Sequence, residues 1–358
     1  MNRALSLYLD LLRFSAAMMV FLGHIAGARF TGGLFWQLIN FKAEAVTLFF
    51  VMSGFVIAHV TATRESNAAD YAIARAARIA SVALPALLLT FALDQIGLQI
   101  RPELYSAAWG YVATDQVGQF LAGLTFTNQL WFRSIPVGSD LPYWSLGFEV
   151  WYYGLFGVLV FARGWRRWIG AALVLAVIGP KIAVLFPVWL MGLAAYHLCT
   201  RHRLNQKLGL VLFGADVALW VAYETARADG TLPNFFPFQA SLDLVTSYAV
   251  ALLFCGHLVA VAACAEWLEN WLNHFARPIR WLAGMTFSLY LVHLPLAQLL
   301  ATLNPWPPES WLGRIGIIAT TFLSVAVFAE VSERRKGPWR RMFAGLIHRT
   351  VPQSARIP

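Results

Sequence analysis

The sequence predicts an all-α, polytopic membrane helix bundle of about ten transmembrane helices with both termini cytoplasmic. Three observations carry this reading. Apolar runs of about 20 residues, the length that crosses a bilayer, recur from one end of the chain to the other. The 358 residues are 59% hydrophobic and 13% charged, with mean hydropathy +0.61, too apolar for a domain with a water-facing surface. Lys and Arg gather in alternate loops, as the positive-inside rule requires of a chain that threads back and forth.

The first span, 5–28, is apolar but carries Asp10, Arg13 and His24. Ala26-Gly27-Ala28 has the small-residue pattern of a leader cleavage site, yet Asp10 and Arg13 interrupt the apolar run, so the segment reads as a span. The others are placed at 44–63, 79–98, 143–162, 168–179, 182–198, 208–225, 245–266, 281–301 and 311–331. The fifth is short. Gly179-Pro180-Lys181 reads as a tight turn into the sixth, and one broken span there would make the count nine. The stretch 99–142 is long, and its part QFLAGLTFTNQLWF reads as a re-entrant or interfacial helix. With the N-terminus inside, the inner segments hold 19 Lys and Arg against 7 outside, which orients the bundle. These loop charges account for the net charge of +9 and make a nucleic-acid partner unnecessary. Cys199, Cys255 and Cys264 form no CxxC, so neither a disulfide framework nor a metal site is expected. The chain divides into a transmembrane domain, 1–335, and a basic cytoplasmic tail, 336–358, suited to anionic lipid headgroups.

An ionisable residue inside a span is costly and is more often functional than incidental. Arg13 and His24, eleven residues apart, fall within roughly 20° of each other around the helix axis and about 16 Å apart along it. Arg13 lies toward the inner surface and His24 toward the outer. Glu149, about 9 Å below the outer surface, and His293, about 12 Å from it, are expected at a depth similar to that of His24. A carboxylate beside an imidazole fixes its tautomer and supports its charged form, as general-base catalysis needs. The competing reading is a set of buried polar contacts that knit helices together. Arg75 and Arg78, one turn apart on the inner side, present guanidinium forks suited to phosphate; ordinary positive-inside charge is the alternative. Ser53-Gly54 within a span permits close helix approach or a kink. Ser53, Ser145 and Ser288 are nucleophiles by type only, since none sits in a GxSxG turn. His59, His197, His257 and His274 lack partners at metal spacing.

Five segments in order resemble the membrane acyltransferase-3 family of O-acyltransferases: Arg13-x10-His24; LFFVMSGFVI from Leu48; Arg75-Ala-Ala-Arg78-Ile79; YWSLGFEVWYY from Tyr143, with Trp144, Ser145 and Glu149; and FSLYLVHLP from Phe287, with Ser288, Tyr290, His293 and Pro295. The resemblance runs from residue 7 to about 335. Thr47 and Val150 stand where acidic or amide residues are common, and the proline usually close behind RxxRI is displaced to Pro85. No SGNH-type domain follows, so the chain resembles the stand-alone form. The resemblance implies an acyl-CoA donor, usually acetyl-CoA, entering from the cytoplasm of a bacterial inner membrane. It implies a hydroxyl acceptor on a glycan or lipid-linked glycan, such as exopolysaccharide or O-antigen, at the outer face. His24, Glu149 and Arg13 are the catalytic candidates; Arg75, Arg78 and Arg13 would hold the donor; Tyr290, His293, Ser288 and Trp144 would meet the acceptor. No metal is expected. The rival class is a transporter or flippase for a glycan or lipid-linked intermediate, against which stands the lack of paired half-repeats with matched broken helices.

Overall fold

The computed structural model describes residues 1–65, 67–201, 204–239 and 242–350. These form fourteen α-helices joined by short 3-10 turns, with no strand among the described residues. The first span becomes α1 (Arg3–Ile25), capped by Asn2, whose side chain accepts the Leu5 N–H at 2.9 Å. A one-turn helix α2 (Ala28–Thr31) leads to α3 (Lys42–Thr63) and the long α4 (Ala68–Ile100). The stretch beyond α4 contains a nine-residue helix, α5 (Gln116–Leu124), with Val117, Leu121 and Leu124 exposed, in keeping with an interfacial position. Then follow α6 (Leu146–Phe161), α7 (Trp165–Ala183), α8 (Phe186–Arg201), α9 (Gln206–Ala228), α10 (Leu244–His274), α11 (Ala276–Ala283), α12 (Thr286–Leu303), α13 (Trp311–Val331) and α14 (Lys336–Thr350).

Eight helices among the described residues are long and apolar enough to cross a membrane, and the α7–α8 pair brings the number to nine at most. The expectation of about ten counted α7 and α8 as separate spans. They are instead two short helices bent by 96°. The turn between them falls at Val184 and Leu185, and α7 is itself kinked at Gly179, whose φ of 74° favours glycine and where a Cβ would press on the backbone of Trp131. Neither arm is long enough alone: about 14 and 16 residues give roughly 21 and 24 Å against a hydrocarbon core of about 30 Å. The bend is seated on the 99–142 stretch, where the Lys181 ammonium donates to the Arg133 carbonyl (2.6 Å) and to Ser134 Oγ (2.7 Å). That stretch is in turn pinned to α4 through Asp94, which accepts the Ser139 N–H (2.8 Å) and hydroxyl (2.5 Å). The pair begins and ends toward the end of the bundle that holds the N-terminus: Phe161, the last residue of α6 just before α7, meets Tyr71 at the start of α4, and Thr200 of α8 shares a crevice with Met1 and Asn2.

Small residues set the closest crossing. A Cβ at Gly54 would overlap the Trp189 carbonyl, and one at Gly192 would overlap that of Val51, so α3 and α8 interlock at backbone distance. This is the close approach that Ser53-Gly54 suggests. The centre of the bundle is α12, 78% buried over its apolar window, whereas α9 is 17% buried and faces outward; lipid tails solvate such a face without penalty. The segment read as a basic tail, 336–358, is helical as far as Thr350, and residues 351–358 lie outside the described residues. There α14 packs along the first half of α4, with Phe343 over a groove lined by Ala68, Tyr71 and Ala72. Just before it, Glu333 accepts the Ser288 N–H (2.8 Å) and hydroxyl (3.0 Å). The N-terminus and α14 therefore lie toward the same end of the bundle.

Candidate functional site

Two clefts lie one above the other along α1. The near cleft, toward the end of the bundle that holds the N-terminus, is lined by Arg13, Ser53, Arg75, Arg78, Glu149 and Tyr153, among others. The far cleft, about 860 Å³, is lined by His24, Asn40, Lys42, Trp144 and Leu242. The three helical turns between Arg13 and His24 put one residue in each.

Charge in the near cleft is unevenly matched. The Arg75 guanidinium pairs with the buried Glu65 at 2.5 Å, but those of Arg13 and Arg78 donate no hydrogen bond and form no ion pair among the described residues. Asp10, one turn before Arg13, reaches across to Arg280 at 3.6 Å instead. Lys336, at the start of α14, belongs to the same electrostatic cluster; crowding by surrounding atoms and the nearby Arg78 charge bring it down to about 8, although part of its surface stays open. Guanidinium groups without a protein partner are free to take an anion's oxygens. Lys336 had no sequence signal, because its proximity to Arg13 and Arg78 depends on how α14 folds back.

Glu149 is not beside His24. Its Oε1 accepts from Ser53 Oγ at 2.7 Å and from the Tyr153 hydroxyl, and Trp189 Nε1 donates to Ser53 Oγ at 3.2 Å. The carboxylate thus sits in the near cleft, where it offsets the guanidinium charge. The expected convergence of Glu149 with His24 does not occur, because depth along a helix does not set which way the side chain faces.

His24 has a different partner. Its Nδ1 lies 3.0 Å from His293 Nε2, and the two rings stack at 5.2 Å with 22° between their planes. The tautomers follow from the far end of this chain. His293 Nδ1 lies 2.6 Å from the Leu289 carbonyl, which can only accept, so Nδ1 carries the proton of the neutral ring. Nε2 is then an acceptor, His24 Nδ1–H donates to it, and His24 Nε2 keeps a free lone pair. His293 is fully buried whereas His24 lines the far cleft, so the inner imidazole orients the outer one.

The remaining candidates separate. Trp144 lines the far cleft. Tyr290 lines both clefts. Ser288 lines neither and is held by Glu333. Lys42 is a far-cleft cation that sequence reading missed; its stem lies across Gly23, where a Cβ would meet Lys42 Cγ at 2.8 Å. His257, assigned no role from sequence, joins the Tyr8 hydroxyl (2.6 Å) to Asp216 (3.0 Å). This relay ties α1, α9 and α10 together and lines neither cleft. Among the described residues no group of three or more His, Cys, Asp or Glu is placed to hold a metal.

Just before Trp144, Asp140 is fully buried with neither carboxyl oxygen hydrogen-bonded. Burial, and then repulsion from Asp94, hold it well above the usual carboxylate range. The folded state therefore keeps a proton that the unfolded chain loses above about 3.8. Stability falls as pH rises through that window, by about 1.4 kcal/mol per pH unit, until the folded group ionises. Asp140→Asn is expected to remove this slope and to unfold at a higher temperature than the parent at pH 8 but not at pH 4, as read by thermal unfolding in detergent.

The model of the acyltransferase domain family matches residues 6–329. No curated protein and no solved structure matches the chain. The match takes in both clefts and every helix from α1 to α13 in nearly full length, on an all-α, multi-pass bundle. The chain belongs to the acyltransferase-3 family.

Proposed function

We propose that this protein is an integral membrane O-acyltransferase of a bacterial inner membrane. It takes an acyl group, acetyl in the first instance, from acyl-CoA on the cytoplasmic side. It delivers that group to a hydroxyl of a glycan, such as exopolysaccharide or O-antigen, at the outer face. The observation that carries the reading is one helix with an unpaired guanidinium in one cleft and an oriented imidazole in the next. The loop charges favour the near cleft as cytoplasmic. CoA phosphates are bound there by Arg78, Arg13 and Arg75, with the Lys336 charge nearby.

In the far cleft His24 Nε2 takes the proton of the acceptor hydroxyl as its oxygen attacks the thioester carbonyl. The tetrahedral intermediate collapses to the ester and CoA thiolate, which recovers the proton from His24. His293 holds the His24 tautomer through the cycle and accepts a stronger hydrogen bond when the imidazolium forms. Trp144 offers an apolar face to a sugar ring. A route in which the acyl group rests on His24 Nε2 uses the same geometry.

The test compares the glycans of a deletion strain and its parent by mass spectrometry, alongside acetyl-CoA binding to the purified protein in nanodiscs. An acyl mass missing from the deletion strain, with micromolar donor binding, is the expected pair of results. Unchanged glycans with no affinity for acetyl-CoA sink the proposal and favour a transporter, which has no use for the donor.

A further inference from the structure

We infer that Tyr290 is the septum between the two clefts and the residue that selects what passes from one to the other. The inference rests on the acyltransferase reading for what passes, but not for the barrier itself. Tyr290 and Val46 line both clefts, so their side chains are the shared wall. Tyr290 comes from α12, the most buried span, and Val46 from the facing α3. The edge of the Tyr290 ring meets Phe49 at 5.4 Å with 71° between planes.

Its hydroxyl lies 2.8 Å from Ser145 Oγ, and Ser145 Oγ lies 3.2 Å from the Pro142 carbonyl. That carbonyl can only accept, so Ser145 spends its hydrogen there and Tyr290 donates to Ser145. The ring itself thus closes the septum by packing, and one neutral hydrogen bond fixes its tip. A single bond of this kind is exchangeable.

Two requirements meet at this ring. A donor whose phosphates sit near Arg78 and Arg13 reaches His24 only past the Tyr290–Val46 wall. A polar path left open from one cleft to the other would also leak ions across the membrane. A tyrosine ring that fills the wall and is tied at its tip by one exchangeable bond meets both. Tyr290 lies three residues before His293 on α12, so displacing it opens the way on the face that carries the histidine pair. An acyl group bulkier than the ring's clearance is retarded at the wall.

The test uses purified protein in liposomes loaded with a pH-sensitive dye and given a pH step. Parent protein and Tyr290→Phe, which keeps the ring, are expected to hold the gradient. Tyr290→Ala is expected to dissipate it at least tenfold faster. Val46→Gly opens the wall from the other side and carries the test if Tyr290→Ala proves polydisperse. A gradient held equally by Tyr290→Ala and Val46→Gly overturns the septum, and so does a leak in Tyr290→Phe as fast as that in Tyr290→Ala. This readout needs no acyl transfer, so the barrier and the acyltransferase reading fail independently. A second arm compares hexanoyl-CoA with acetyl-CoA as donors. The ratio of their turnovers is expected to rise in Tyr290→Ala, and an unchanged ratio overturns the selective role.

Discussion

Replacing His24 with alanine is expected to lower acyl transfer by about 10³-fold or more, the upper part of what general-base catalysis contributes. Acetyl-CoA binding should change less than twofold, because the proposed donor-binding cations Arg13, Arg75 and Arg78 line the other cleft. Isothermal titration in nanodiscs and a product assay separate the two effects. Substantial transfer by the alanine variant would remove His24 from the chemistry. His293 gives the same assignment a second handle. It acts only through His24, so His293→Ala should cost about 10–100-fold, with a displaced pH–rate profile, because the tautomer is no longer held. His293→Gln supplies a carbonyl oxygen that can accept from His24 Nδ1–H and should recover part of the loss. A residue that merely fills space would show neither the pH displacement nor the rescue.

Arg78→Ala is the second large effect. Arg78 lines the near cleft without a hydrogen-bond or ion-pair partner among the described residues, so its removal strands no protein carboxylate and the cost falls on the ligand. A lost charge-assisted hydrogen bond is worth about 1.5–3 kcal/mol, or roughly 10–150-fold in affinity. The expectation is a KM for acetyl-CoA raised by that factor with kcat within about threefold, the signature of binding shared by ground and transition states. Acetyl-pantetheine has no nucleotide phosphates, so its transfer should be indifferent to the substitution. An equal loss for both donors would move Arg78 from phosphate recognition to the architecture of the cleft. Arg13→Ala should behave alike. Arg75→Ala should be worse for stability than for binding, since it strands Glu65, buried and paired at 2.5 Å.

Much of this was legible along the chain. Helical periodicity is local, so the Arg13 and His24 stripe on α1, the Arg75 and Arg78 pair and the close-packing glycine at 54 could be read directly. So could the spans, since bilayer thickness sets a length that composition reveals. The α7–α8 bend was misjudged because Gly179-Pro180-Lys181 marks a break without its angle; the long-range contacts of Lys181 with Arg133 and Ser134 decide that. Glu149 was assigned to His24 by depth alone, and its rotation about α6 turns it to Ser53 and Tyr153. Ser288 sits in a recognisable motif, yet its hydroxyl is used to hold Glu333, 45 positions away.

By itself, then, the sequence determined the class of protein, the number of apolar segments to within one or two, the helix that carries a cation and a base on one face, and the family. Only the tertiary structure decided that His24 meets a second histidine rather than a carboxylate, that Arg13 and Arg78 stand unpaired in one cleft with the Lys336 charge nearby, and that a tyrosine lines both that cleft and the next. The reason is physical. Periodicity and hydropathy act over one helix and fix its faces, whereas the partner of a buried polar group depends on how several helices rotate against one another to satisfy every such group at once.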